Sequence, residues 1–293
     1  MQSLWMLVAS ALFAVMGLCV KLASPFFSTG QIVGFRGLIG LVVVMAMVRW
    51  DWKSLRTQYL GQHLWRGFFG VTALWLWYHA MTQLPLAMSM TLNYTSALWL
   101  AVFMMVLAWW HKKSGIAPTF ILTLIMGFVG IVLLLQPTMQ ADQFTSALMA
   151  LGSGFLAGLA YLQVRQLGQR GESEFKVVFY LSIICTVAGF LFSSVQSISQ
   201  GQSLIRDVPW TWMALIAILG VGISAALAQL AMTRAYRLGN PLLVANLQYT
   251  GIVFSTSFDI WIWGVHLDVL SWLGIAVILS SAMLATYFNS KLK

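Results

Sequence analysis

Charge is what this chain has least of. Only 8% of its 293 residues are Asp, Glu, Lys or Arg, against about a quarter in ordinary soluble domains. That deficit excludes a soluble globule and points to a polytopic membrane protein. Cysteine is nearly absent too. Cys19 and Cys185 sit inside apolar runs with no CxxC or Cys/His spacing. They read as small core hydrophobes, and no metal site is expected. Acidic residues number 7 against 16 basic ones, a net charge of +9. The basic residues occupy short gaps between apolar runs and form no stripe, which excludes nucleic-acid binding. No P-loop, Gly-rich nucleotide fingerprint, nucleophile constellation or carboxylate pair is present, so neither an enzyme nor a cofactor site is expected. Proline is absent from the middle of every apolar run. There is thus no proline signature of a broken helix.

What is present in abundance is apolar length: 60% of the residues are hydrophobic. A spanning helix needs about 20 mainly apolar residues. Ten segments qualify, at 4–20, 31–48, 64–81, 86–109, 119–135, 146–162, 175–193, 212–231, 242–263 and 270–287. The first lacks a basic flank and is read as a retained helix, not a cleaved signal. Pro25, Pro85, Pro118, Pro137, Pro209 and Pro241 all fall between these segments or at their starts, where a missing backbone donor is tolerated.

Loop charge sets the expected orientation. Of the 16 Lys and Arg, Arg49, Lys53, Arg56, Arg66, Lys112, Lys113, Arg165, Arg170, Lys176, Arg234, Arg237, Lys291 and Lys293 fall on one side. Lys21 and Arg206 fall on the other, and Arg36 lies inside a segment. The positive-inside rule then places both termini in the cytoplasm.

Two short patches repeat. Leu92-Asn93-Tyr94-Thr95 and Leu247-Gln248-Tyr249-Thr250 are separated by an offset of 155 residues, from Leu92 to Leu247. The same offset pairs Ala80 with Ala235, Phe103 with Phe258 and His111 with His266. With ten segments the second five-helix half, 145–290, runs inverted relative to the first, 1–136. Inverted repeats meeting at the midplane are a common transporter plan. Closely spaced glycines, such as Gly34, Gly37 and Gly40 or Gly127 and Gly130, suit close helix packing.

Ionisable groups inside apolar runs are functional candidates. Two readings stand for Arg36: a carboxylate-binding group, or an interfacial arginine that snorkels or caps carbonyls. His79 either carries a proton or bonds a carbonyl. Asp259, the lone acid within an apolar run, either couples protons or pairs with Lys21 or Arg36. Arg36, His79 and Asp259 are therefore the coupling candidates. The uncharged set favours a binding site: Asn93, Tyr94, Asn246, Tyr249 and Gln229 for substrate contact, with Trp75 and Tyr78 stacking against it. Aromatic walls with a few polar groups suit a small amphiphilic metabolite, although Asn, Gln, Ser and Thr also glue membrane helices together.

At this point the chain resembles the drug/metabolite transporter superfamily, in its form with two EamA domains. The resemblance is carried by Ser10-Ala11-Leu12-Phe13-Ala14 leading to Lys21, by Phe35-Arg36, by Ala80 and Ala235 before the fourth and ninth segments, and by Gly127-Phe128-Val129-Gly130 and Gly274. Many such proteins carry a glutamate after the fourth and ninth helices, where this chain has His111 and His266. The resemblance implies an all-α carrier in a bacterial inner membrane, with a cavity built from helices one, three, four, six, eight and nine. The function expected is export of an amino acid or derivative by alternating access, with protons as a possible coupling ion. Uptake of a metabolite such as S-adenosylmethionine, export of an organic cation or drug, and a non-transporting scaffold or receptor are the alternatives. A monomer is compatible with this plan.

Overall fold

A computed structural model describes residues 2–84, 86–110, 118–136, 144–199, 211–264 and 266–291. The side chains of Tyr78 and Asp259, and all of His111, lie outside the described residues. All described regular structure is helical. The helices are α1 (Trp5–Ala23), α2 (Thr29–Met47), α3 (Leu60–Gln83), α4 (Leu86–Tyr94), α5 (Ser96–Trp110), α6 (Pro118–Leu135), α7 (Phe144–Gln169), α8 (Glu174–Ser199), α9 (Trp212–Leu238), α10 (Pro241–Gln248), α11 (Thr250–Trp263) and α12 (Val269–Lys291).

Among the described residues 8 helices are long and apolar enough to cross a membrane. Their outward faces carry Leu122, Leu191, Trp212 and Ile216, each more than half exposed. Such continuous apolar surface requires lipid around it, and the protein is a polytopic α-helical membrane protein. Two stretches expected to span fall outside that set. In α3 apolarity is diluted by Gln62, His63, Arg66, Thr72 and His79. The stretch 241–263 is divided at Tyr249 into two short helices.

Local signals explain the boundaries. Ser28 opens α2 with a capping box: its hydroxyl accepts from Gln31 N at 3.3 Å, and its own N–H donates to Gln31 Oε1 at 2.8 Å. Asn240 caps α10 by accepting from Leu242 N at 3.1 Å, with Pro241 in the first turn. Asp268 accepts from Ser271 N at the start of α12. Hydrogen bonds from Ser271 and Gln136 hold its carboxyl below the usual range. The turn between α7 and α8 needs Gly171, at φ +84°. It is tied down by Glu172, 3.1 Å from His63 Nε2 and 3.5 Å from Lys176 Nζ, and by Glu174 between Arg234 and Arg237.

Proline does not break a helix here, yet two helices are broken. The chain turns at Thr95 between α4 and α5 and at Tyr249 between α10 and α11. Thr95 Oγ1 donates to Leu92 O at 2.6 Å, and Thr250 Oγ1 donates to Leu247 O at 2.7 Å. Backbone bonds tighten to the third residue back, Thr95 N to Leu92 O and Tyr249 N to Asn246 O. Both repeated motifs therefore sit on a helix interruption, which threonine hydroxyls stabilise by occupying carbonyls that the regular ladder leaves.

The bundle packs α1 against α9, α3 against α7, α2 against α8 and α6 against α12. Glycine permits the closest crossings. A Cβ at Gly37 would lie 2.5 Å from Thr186 N, and one at Gly130 would lie 2.9 Å from Gly274 O. Gly37→Ala is expected to cost about 1–3 kcal/mol through overpacking, seen as a lower unfolding temperature of the detergent-solubilised protein. Gly61→Ala, where a Cβ meets nothing within 4 Å, is expected to leave it unchanged or raised.

Candidate functional site

The broken helices and the diluted α3 converge on one central cavity of about 170 Å³. α1 supplies Ser10, Phe13 and Gly17; α2 supplies Arg36; α3 supplies Arg66, Gly70 and Trp77. Asn93 and Tyr94 come from the end of α4, Tyr161 from α7, Gln229 from α9, and Gln248, Gly251 and Ser255 from α10 and α11. The two stretches that fall short of a membrane-crossing helix are thus cavity walls. Polar residues that would be costly against lipid face a space between helices instead.

A chain of polar contacts lines one side. Tyr236 OH donates to Gln248 Oε1 at 3.3 Å, and Gln248 Nε2 donates to Tyr161 OH at 3.4 Å. Tyr161 and Tyr236 stack with centroids 5.4 Å apart. Arg66 Nη2 lies 3.5 Å from Gln229 Oε1, a long and weak contact. Asn93 Nδ2 donates to Ser153 Oγ at 2.9 Å, and Ser153 Oγ donates in turn to Ala150 O at 2.6 Å. α7 approaches the α4 break closely at Gly154, where a Cβ would meet Thr95 Oγ1 at 2.5 Å. Ser10 Oγ faces the α10 carbonyls of Leu247 and Gln248, each at 3.5 Å.

The candidate residues separate by position. Asn93, Tyr94, Gln229 and Arg36 line the cavity. Asn246 is buried away from it, donating to Thr123 O at 2.9 Å and accepting from Ser281 Oγ at 3.5 Å. Tyr249 is fully buried against α6, where a Cβ at Gly127 would meet its ring at 2.6 Å. Trp75 packs on Phe192 of α8, and the tryptophan that reaches the cavity is Trp77. His79 is exposed and does not line the cavity. The residue that sequence reasoning set aside is Arg66. Counted there among the loop cations, it is 3% exposed and lines the cavity. The available signal was its place two residues inside the apolar run that begins at Leu64.

The chemistry on offer is binding. Aromatic and aliphatic walls surround two guanidinium groups, three carboxamides and two tyrosine side chains, and among the described residues no acidic side chain lines the space. Among the described residues no cluster of three or more His, Cys, Asp or Glu side chains stands ready for a metal ion.

Comparison with known proteins follows this architecture. A family model described as the EamA-like transporter family matches residues 1–136 and 144–287. A riboflavin transporter of Vibrio cholerae is 28% identical over 99% of this chain and 94% of the relative. A pseudopaline exporter of Pseudomonas aeruginosa is 25% identical over 90% of this chain and 88% of the relative. A crystal structure with 17% sequence identity superposes with a TM-score of 0.80 over 98% of both chains, which shows a shared fold.

Asn246→Leu is expected to lower stability by about 1–3 kcal/mol, because Thr123 O and Ser281 lose a buried partner. Asn93→Ala is expected to change the unfolding temperature less, since its partner Ser153 keeps its bond to Ala150. Thermal unfolding of the purified variants checks the order.

Proposed function

Because the chain belongs to the EamA-like transporter family, we propose that it is a secondary transporter exporting a small amphiphilic metabolite, such as an amino acid or a derivative, through the central cavity. The observation that carries this is the cavity itself: a space enclosed by helices from both parts of the chain, with aromatic walls and a few convergent polar groups. Export is favoured over uptake by analogy with the pseudopaline exporter of Pseudomonas aeruginosa. Uptake remains the second reading, since the riboflavin transporter of Vibrio cholerae is a comparable relative whose name specifies no direction.

The mechanism proposed is alternating access between two inverted five-helix repeats, 1–136 and 145–290, in a ten-span plan that counts α3, α4 with α5, and α10 with α11 as spans. The packing pattern supports it. Exchanging the halves turns the α1–α9 pair into the α7–α3 pair, while α2–α8 and α6–α12 each map onto themselves. The paired helix breaks support it as well. The substrate would sit among Asn93, Tyr94, Gln229 and Trp77. Asn246 and Tyr249 would hold the α10–α11 break in place. Transport would run on exchange or a proton gradient, with Asp259 the acid to test first. We assign the protein to the inner membrane of a bacterial cell with both termini cytoplasmic, following the loop charges.

Counterflow in proteoliposomes tests the reading. Vesicles loaded with pools of amino acids, nucleosides or cationic drugs are expected to show trans-stimulated uptake from one pool. Any response to an imposed pH gradient is expected to disappear in Asp259→Asn. No counterflow from any pool, by protein shown to be folded, would favour a scaffold or receptor.

A further inference from the structure

Arg36 and Arg66 are 6% and 3% exposed, and both line the cavity. Arg36 is the eighth residue of a 19-residue helix, about 10 Å in from the start of α2 and about 16 Å from its end at 1.5 Å per residue. Arg66 is the seventh residue of α3, about 9 Å in from its start. Neither is placed to snorkel at a helix end, which removes the interfacial reading of Arg36.

A buried cation is costly unless paired, and two on one cavity also repel. Among the described residues no cavity-lining side chain is acidic. Among the described residues Glu172 and Glu174 are ion-paired at the α7–α8 turn, while Asp51 and Asp268 cap helices. Arg36 Nη1 and Arg66 Nε are buried with no hydrogen-bond partner, and the neighbour of Arg66 Nη2 is the neutral Gln229, at 3.5 Å. Buried guanidinium donors without acceptors mark a place where a ligand supplies the acceptor. Planar forked donors suit a carboxylate or phosphate. Phe13, Trp77 and Tyr94 leave an apolar wall beside them for the rest of the molecule.

We propose that Arg36 and Arg66 form an oxyanion subsite, so that the transported metabolite is an organic anion whose carboxylate or phosphate bridges the two guanidinium groups while its apolar body lies against Trp77 and Tyr94. The inference rests on the cavity being the transport site and names the substrate class for it. It runs against an organic cation as cargo, since a cation would enter a space that already carries two positive charges.

The test pairs binding with flux. The probes are citrate, inorganic phosphate, and N-acetyl-L-phenylalanine with its uncharged amide. At ionic strength matched with chloride, the anions are expected to raise the unfolding temperature of the detergent-solubilised full chain. The shift is expected to vanish in Arg36→Gln and Arg66→Gln and to survive in part in Arg66→Lys. Citrate against phosphate separates carboxylate from phosphate preference. In trans-stimulated counterflow the N-acetyl acid is expected to outrun its amide by about 30-fold or more, with that ratio lost in the Gln variants. The Gln variants should be no less stable than wild type without anion, because each removes an unpaired buried charge.

A thermal shift without counterflow of any probe would keep the oxyanion subsite and overturn the transport reading. Counterflow with equal rates for acid and amide, in wild type and variants alike, would keep transport and overturn the subsite. Absence of both overturns both. A shift produced by phosphatidylglycerol and by none of the soluble anions would make the ligand a lipid headgroup and overturn the metabolite assignment.

Discussion

Every backbone N–H and C=O in a hydrocarbon slab must find a partner inside the protein, and this one constraint governs the whole structure. It makes the described fold helical. It also limits where a helix can stop. The chain stops two helices inside the bundle, and at each stop a threonine hydroxyl takes up a carbonyl three residues back. The stops face protein and cavity rather than lipid, with Gly154 bringing α7 against the first and Ser10 beside the carbonyls of the second. Polar side chains from α3, α4 and α10 can then look into a shared space.

That space is assembled from residues that are weak as separate signals. Asn93, Tyr161, Gln229 and Gln248 each have a plausible role as helix glue, and several play it. Gln248 bridges Tyr236 and Tyr161, and Asn93 holds Ser153. The arginines differ because the neutral neighbours leave their charge uncompensated. The same low dielectric that makes an unpaired guanidinium expensive makes it a strong ligand group.

Much of the fold was legible in the sequence, since length and apolarity mark membrane helices, but the repeated Tyr-Thr patches read there as parts of continuous spans and not as helix interruptions. The absence of proline was a poor guide to continuity, because Thr95 and Thr250 stabilise the interruptions without it. Facing was harder to read. In a soluble helix the apolar stripe points inward, but in a membrane both faces are apolar. Trp75 and Trp77 differ by about 200° around α3, and nothing in the composition says that Trp77 faces the cavity while Trp75 meets Phe192. Arg66 was counted with the loops because it lies near the start of its run. Its burial comes from α7, α8 and α9 around it, which are distant in the chain. Asn246 and Tyr249 share a motif with cavity residues but turn toward α6.

The crossing of α2 and α8 has a mechanical meaning. Gly37 touches the backbone at Thr186, and Gly189 touches the backbone at Gly34. Two rods in contact at their axes cannot be drawn apart without opening a void along the seam. They can turn about the point of contact with almost no change in the area they cover. Such a joint behaves as a fulcrum: small angular travel at the centre becomes several times larger displacement at the rod ends, where the chain meets water.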